Sequence, residues 1–458
     1  MTTSELKDDR LDQLAEHGNV AQFASFGPGA EPSLRHHRLA GDPAFTGQQP
    51  AEVIRQLLAR AGGSTVNVRS FRPDRDKGSP FHYGIAKAGD AADLVFRLAG
   101  EGYLTIVNET IDIHDGGISG VALAGIVEFA PDDTPRAVEQ PGVAALPLAQ
   151  AVRLLTTVYR FAPELPDVPA DRLEFSIHPN RVGYRRSHTL WWELEPRATA
   201  DRLTARLDWP NRFSRHLGDK AYGLLMADLV GLPVPRTTVI GRRVAPFSFG
   251  RSTATGETWL RTCPTEQAPG KYSTVAQWTD PYALLAEEDP DGTAIAAVLA
   301  QQGVDPAWSG ATMASADGAD FVQGVAGRGD SFMLGEQPPE SLPAEVLADV
   351  RALAETARQQ LGPVRLEWVH DGSQAWVVQL HIARQFFAGA SIVSAGEADR
   401  WLDFEVADGL DSLRELVGRA QAESAGIRIH GSVGLTSHVG DLLRRAGVPG
   451  RLADPDAS

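Results

Sequence analysis

Residues 216–235 read HLGDKAYGLLMADLVGLPVP, and the fold follows from this stretch. Lys220 to Leu229 reads as a helix, Gly231-Leu232-Pro233 as the turn that ends it, and Val234 to Ile240 as a strand. A lysine at the start of such a helix can meet an anion, because the helix begins with unpaired N–H groups. The same lysine is equally an ordinary solvated cation.

Downstream, Arg261 ends a strand in TWLRT, and the loop TCPTEQAPGKYST brings Gly270, Lys271, Ser273 and Thr274. Glycine with hydroxyl residues allows backbone N–H groups to lie over phosphates, although Pro-Gly is first of all a turn. Gln301 closes the apolar strand IAAVLAQ, with Val304 after it, either at a hinge where a base stacks or as a buried amide satisfying backbone groups. Glu367 in RLEWV and Gln379 in AWVVQL stand on two short strands joined by His370-Asp371-Gly372, which reads as a hairpin. From adjacent strands, a carboxylate and an amide can face one magnesium ion and a polyphosphate; they are also what the polar face of a half-buried hairpin carries.

Upstream the chain alternates in the same way. A helix is expected near Ala51 to Ala61, a strand at Thr65 to Ser70, a helix at Asp90 to Gly100 and a strand at Tyr103 to Glu109. Gly120 to Phe129 reads as one strand, Leu148 to Phe161 as a helix, and Arg172 to Ile177 with His188 to Glu195 as paired strands. Residues 1–48, rich in Gly, Pro and His, read as an irregular arm with helical spacing only near Leu11 to Phe23.

The two halves share landmarks. Arg69 in VNVRS returns 192 residues later as Arg261, Ser119-Gly120 returns 190 later as Ser309-Gly310, and Glu174 in RLEFS returns 193 later as Glu367 in RLEWV. Three offsets within three residues of one another indicate a duplicated pattern. The first copy has no clear counterpart of Lys220. Its loops hold Asp112, Asp115, Asp132 and Asp133, which are available to a metal or cationic ligand and are more commonly just solvated.

Composition bounds the reading. A chain of 458 residues is long enough for two or three domains, and its single cysteine, Cys263, allows no internal disulfide. With a polar N-terminus and no long apolar window, a cytoplasmic protein that spans no membrane is expected. A net charge of -16 argues against broad nucleic-acid binding, because phosphate backbones need a basic face.

In their order, these residues resemble the nucleotide-binding domain of the phosphoenolpyruvate synthase, pyruvate phosphate dikinase and rifampin phosphotransferase group. The resemblance covers about residues 211 to 384 and rests on Lys220, Gly231 to Pro235, Arg261 with Thr262, Gln301 before Ser309-Gly310, Glu367 and Gln379. It implies ATP and magnesium as cofactors: Lys220 and Arg261 at the phosphates, which the loop residues Gly270 and Thr274 would join by their own chemistry, Gln301 beside the adenine, and Glu367 with Gln379 at the metal. Where the family has an arginine two residues after the glutamine, this chain has His381, with Arg384 the nearest replacement. The tail GSVGLTSHVGDLLRRAGVP, residues 431–449, resembles the family's swivelling phosphohistidine domain, shortened here. By that resemblance His438 would accept a phosphoryl group, with Thr436 and Ser437 capping the helix after it, and a small molecule or a protein partner would supply the final acceptor.

The expected fold class is therefore α+β, an ATP-grasp fold with an internal duplication and a small truncated swivelling-domain-like tail. The expected divisions are an arm at 1–48, a degenerate first copy at 49–200, a nucleotide-binding second copy at 201–385 and the tail at 386–458. The expected activity is an ATP-dependent phosphotransferase, with an ATP-grasp carboxylate–amine ligase or an ATP-binding scaffold as alternatives.

Overall fold

The computed structural model describes residues 11, 19–39, 49–60, 65–72, 79–135, 140–166, 171–179, 189–196, 204–266, 274–314, 320–383, 392–431 and 433–453. The fold is mixed α and β with several antiparallel sheets. It divides into two compact units, residues 1–148 with 161–205, and residues 149–160 with 206–458.

In the first unit, β1 (Phe23–Phe26), β2 (Leu34–Arg38), α1 (Pro50–Arg60), β3 (Val66–Phe71), β4 (Phe81–Ile85), α2 (Ala88–Gly100) and β5 (Leu104–Glu109) build one sheet with two helices. The strand order is β2-β1-β5-β3-β4, antiparallel throughout. Ala91, Ala92, Val95 and Leu98 recur at helical spacing, so α2 buries one face against Val66, Val68 and Val107. Burying a side chain such as Val95 or Leu98 contributes about 1.5–3 kcal/mol.

The stretch expected as an irregular arm supplies β1 and β2. Ala24 and Phe26 point inward and are fully buried, an alternation too short over four residues to stand out in the sequence.

The second sheet holds β6 (Ile118–Leu123), β7 (Ile126–Ala130), β8 (Ala144–Pro147), β9 (Asp171–Ile177) and β10 (Thr189–Pro196), in the order β10-β9-β6-β7-β8. Residues 120–129, expected as one strand, are the facing parts of β6 and β7. Ala124 and Gly125 take φ of 52° and 78°, the left-handed pair of a two-residue hairpin turn. A non-glycine residue in that conformation gives no warning in the sequence. The helix α3 (Leu148–Tyr159) falls within the second unit from Ala149 onward.

The second unit continues with α4 (Arg212–Leu217), α5 (Asp219–Leu229), β11 (Thr237–Gly241), β12 (Phe247–Phe249), β13 (Thr258–Pro264), β14 (Thr274–Ala276), α6 (Pro281–Glu288) and β15 (Ile295–Gln302). Its first sheet, the third of the chain, runs β12-β11-β15-β13-β14. The strand expected from Val234 begins three residues later. Pro233 and Pro235 lack the N–H a ladder needs, and only a single bridge joins Pro235 to Arg251.

The fourth sheet is made of β16 (Trp308–Met313), β17 (Phe321–Ala326), β18 (Val364–His370) and β19 (Ala375–Ile382), with α7 (Asp330–Leu334) and α8 (Ala344–Leu361) between β17 and β18. Its order is β17-β16-β18-β19. The last sheet contains β20 (Ile392–Ser394), β21 (Trp401–Glu405), β22 (Gly426–His430) and β23 (Gly450–Leu452), with α9 (Gly409–Glu423) and α10 (His438–Ala446). β21, β22 and β23 are parallel neighbours. Leu413, Val417, Val439 and Leu443 of the helices join Ile427 and Ile429 in their core.

The two units use the same strand plan. The first and third sheets have one order, position for position, and the second sheet matches the fourth with β8 added at an edge. Register agrees as well: Val121 faces Glu174 as Ala311 faces Glu367, and Arg69 faces Ile106 as Arg261 faces Leu299. Even the irregularity recurs, because the register skips Trp192 after Glu193 pairs Glu174, and skips Val378 after Gln379 pairs Glu367. Among the described residues, no helix is long and apolar enough to cross a membrane.

Candidate functional site

Within the second unit an open cleft separates the third sheet from the fourth. Trp259, Arg261 and Gln301 line it from one side; Gly310, Glu367 and Val378 line it from the other. The Arg261 guanidinium crosses between them, Nη1 donating to the Val378 carbonyl oxygen at 3.1 Å. Its Nε is buried without a hydrogen-bond partner.

Glycine geometry brings the helix carrying Lys220 against the strand of Arg261. Gly218, just before α5, has φ 88°, and a Cβ there would stand 2.6 Å from the Cys263 Cβ and 2.8 Å from the Cys263 carbonyl oxygen. Only glycine allows so close an approach, so α5 begins directly against β13, two residues from Arg261. Burial pushes the Lys220 ammonium below its ordinary pKa, and the Arg261 charge adds to this, while Cys263 and Glu367 oppose it.

Glu367 is paired in register with Ala311 and Gln379, and its Oε1 is buried without a hydrogen-bond partner. Burial alone would raise its pKa, but His438 in its protonated form, together with Arg365, Arg261 and His381, holds it below the ordinary carboxylate value. A carboxylate kept ionised while one oxygen has no donor is a fitting place for a cation. Among the described residues no group of three or more His, Cys, Asp or Glu side chains forms a metal cluster. A magnesium ion at Glu367 and Gln379 would thus need phosphate oxygens to complete its shell, as magnesium commonly does.

His438 is the first residue of α10, and its Nδ1 is buried without a partner. Burial lowers its pKa, Glu367 raises it and Arg365 lowers it, with the balance below the ordinary value. The imidazole is therefore held neutral and nucleophilic near pH 7. The expected capping is not made. Ser437 occupies the N-cap position with no side-chain cap bond, its Oγ buried and without a partner, while the Thr436 N–H and hydroxyl donate to Gln323 Oε1 at 3.2 and 3.4 Å. The Gln323 side chain from β17 thus holds Thr436 just outside the helix.

Other expected residues are placed as follows. Gln301 is paired in register with Thr237 and Trp259, is 2 % exposed, and donates from Nε2 to the Thr237 hydroxyl at 3.4 Å, so it combines a cleft position with a buried-amide role. The Gln379 amide meets His381 Nε2, and His381 Nδ1 meets Asp219 Oδ2 at 3.1 Å. His381 thus braces the strand against the residue before Lys220. Thr274 is exposed on β14, beside Arg261 in register. Gly270, Lys271, Ser273 and Arg384 lie outside the described residues.

Sequence reasoning missed the role of Arg365 and Asp441. Arg365 Nη2 donates to the Thr436 carbonyl oxygen at 2.7 Å, and Nη1 pairs with Asp441 Oδ2 at 3.0 Å. An arginine two residues before the glutamate was visible in RLEWV, but its partner lies 76 positions on.

In the first unit, the candidate acidic groups are engaged locally. Asp115 Oδ2 meets His178 Nδ1 at 2.9 Å and Oδ1 accepts from Gly117 N at 2.8 Å; Asp132 meets His114, Asp112 accepts from His114 N, and Asp133 accepts from Thr134 N. Glu174 pairs with Arg172 at 2.7 Å, both almost fully buried.

No protein-family model matches the chain, and no curated protein matches it. Among solved structures it is similar to the VanG D-Ala:D-Ser ligase from Enterococcus faecalis, at 12% identity over 37% of this chain and 52% of that one, with a TM-score of 0.25. It is also similar to an L-amino acid ligase from Bacillus licheniformis, at 15% identity over 37% of this chain and 41% of that one, TM-score 0.24. A RimK domain ATP-grasp protein from Sphaerobacter thermophilus shares 17% identity over 50% of this chain and 67% of that one, TM-score 0.24. The chain spans about half the length of the first two of these structures.

Proposed function

We propose that the second unit is an ATP-grasp-type site that takes Mg-ATP into the cleft between its two antiparallel sheets and passes a phosphoryl group to His438. The observation that carries this reading is the convergence of Lys220, Arg261 and Glu367 from α5, β13 and β18, with Arg261 Nε and Glu367 Oε1 both buried and lacking partners. Two cations and an ionised carboxylate suit a polyphosphate and its metal, which an all-protein network would leave no reason to keep open.

His438 supports the choice of acceptor, since Glu367 and Lys220 both act electrostatically on its imidazole, Glu367 raising its pKa and Lys220 lowering it, and burial leaves it neutral. In the transfer, the imidazole nitrogen forms the N–P bond to the γ-phosphorus, the bridging P–O bond breaks, and its electron pair leaves on the departing ADP. A small molecule or partner protein then takes the phosphoryl group. The strand order and register shared by the two units support an internal duplication whose first copy has lost the site, and the parallel β21, β22 and β23 with α9 and α10 support a shortened swivelling-type tail.

The second reading keeps the cleft and gives the γ-phosphoryl group to a substrate carboxylate, ADP departing; an amine then attacks the acyl carbon and inorganic phosphate leaves. One feature bears on it: Arg328, more than half exposed, stands over the Trp259 ring at 5.6 Å and is paired with Glu257 at 3.1 Å, so a substrate carboxylate would meet it by displacing Glu257.

Incubation of the full chain with γ- and β-labelled ATP separates these. Acid-labile label on the wild type and none on His438→Ala supports the carrier. ADP release that requires an amine and survives His438→Ala supports the ligase. ATP-induced thermal stabilisation without turnover in any substrate screen leaves an ATP-binding scaffold.

A further inference from the structure

The two units hold the same arginine–glutamate pair in two different states. Arg172 and Glu174 on β9 correspond in register to Arg365 and Glu367 on β18, since each glutamate faces the residue two after a Ser-Gly start and sits beside the same skipped register. On a strand, residues two apart share a face. In the first unit the arginine closes on its own neighbour, Arg172 Nη1 to Glu174 Oε1 at 2.7 Å, with 5% and 4% of the side chains exposed. In the second unit Arg365 instead reaches the α10 segment, through Asp441 at 3.0 Å and the Thr436 carbonyl at 2.7 Å, and Glu367 Oε1 is left without a partner.

Resting on the nucleotide reading above, we infer that Asp441 is a positioning residue: by holding Arg365 on α10, it keeps the Glu367 carboxylate open for the metal–phosphate ligand. When that hold is lost, Arg365 closes on Glu367 as Arg172 closes on Glu174. A buried guanidinium that loses its carboxylate must find another or leave an uncompensated charge, and Glu367 is the acceptor two residues away. Because His438 and Asp441 share the first turn of α10, docking of the candidate phosphoryl acceptor and opening of the metal ligand become one event.

Glu367 itself fits a metal by its buried, unpaired oxygen, and the test therefore reads the protein's own pairing as well as binding. The full-length chain is compared with Asp441→Asn and with Asp441→Asn/Arg365→Gln. A crystal structure of Asp441→Asn is expected to show Arg365 in a salt bridge with Glu367; Arg365 remaining away from Glu367 overturns the inference. In calorimetry with Mg and a non-hydrolysable ATP analogue, Asp441→Asn is expected to bind about 10-fold more weakly, and the double variant to recover most of that loss. A double variant that unfolds cooperatively yet binds no better than Asp441→Asn also overturns it. If the wild type binds no Mg-nucleotide, the functional reading fails, and the crystal structure still decides whether Asp441 keeps Arg365 from Glu367.

Discussion

Gly223 of α5 lies against the backbone of Leu380 on β19, so close that a Cβ on Gly223 would stand 2.0 Å from the Leu380 carbonyl oxygen. With Gly218 against Cys263, this contact fixes the helix carrying Lys220 to both sheets of the cleft. Gly223→Ala is therefore expected to destabilise the protein by about 1–3 kcal/mol through forced backbone movement. Urea denaturation should show the lower midpoint, and an unchanged midpoint would mean that α5 shifts freely.

Lys220→Met should separate stability from binding. Burial already disfavours the ammonium, so removing it is expected to leave the resting protein as stable or slightly more so. The thermal shift produced by Mg-ATP should fall, corresponding to about 10-fold weaker binding. Equal loss of both quantities in differential scanning calorimetry would assign Lys220 a purely structural role.

Because burial lowers the His438 pKa and Glu367 raises it, the histidine should titrate below its ordinary value, and Glu367→Gln should move the midpoint lower still. For a group with a depressed folded pKa, the unfolded chain takes the proton first. Its contribution to stability is complete above about pH 6.5 and declines as pH falls from there toward the folded pKa. Histidine NMR resonances followed from pH 8 to 5 test both signs, and a midpoint raised by Glu367→Gln would contradict the arrangement.

The Cys263 thiol is fully buried and its pKa is pushed up to about 11, chiefly by burial, with Lys220 opposing. In the native protein it should react with a disulfide reagent far more slowly than in the unfolded chain, since the thiolate is the nucleophile. Labelling at equal rates with and without denaturant would place Cys263 at the surface.

Asn211 accepts from Ser214 N at 2.8 Å while Ser214 Oγ accepts from Asn211 N at 2.8 Å, a reciprocal cap on α4 immediately before Lys220's helix. Asn211→Ala is expected to cost about 1 kcal/mol, measured by chemical denaturation.

The sequence by itself determined the alternation of helices and strands and the repeated landmarks at Arg69 and Arg261, Ser119 and Ser309, and Glu174 and Glu367. These are local: periodicity, glycine and proline placement, and short motifs carry them. It also singled out Arg261, Gln301 and Glu367, which the structure places on one cleft, and Lys220 and His438, which it couples electrostatically to Glu367. The strand holding Ala24 and Phe26 escaped it because four residues are too few for a period to show. Only the tertiary structure decided that His381 braces Asp219, that Gln323 takes the turn before His438, and that Arg365 is held by Asp441 while Arg172 closes on Glu174. Which partner a buried charge finds depends on the element that packs against its strand, and no local pattern within RLEFS or RLEWV encodes that element.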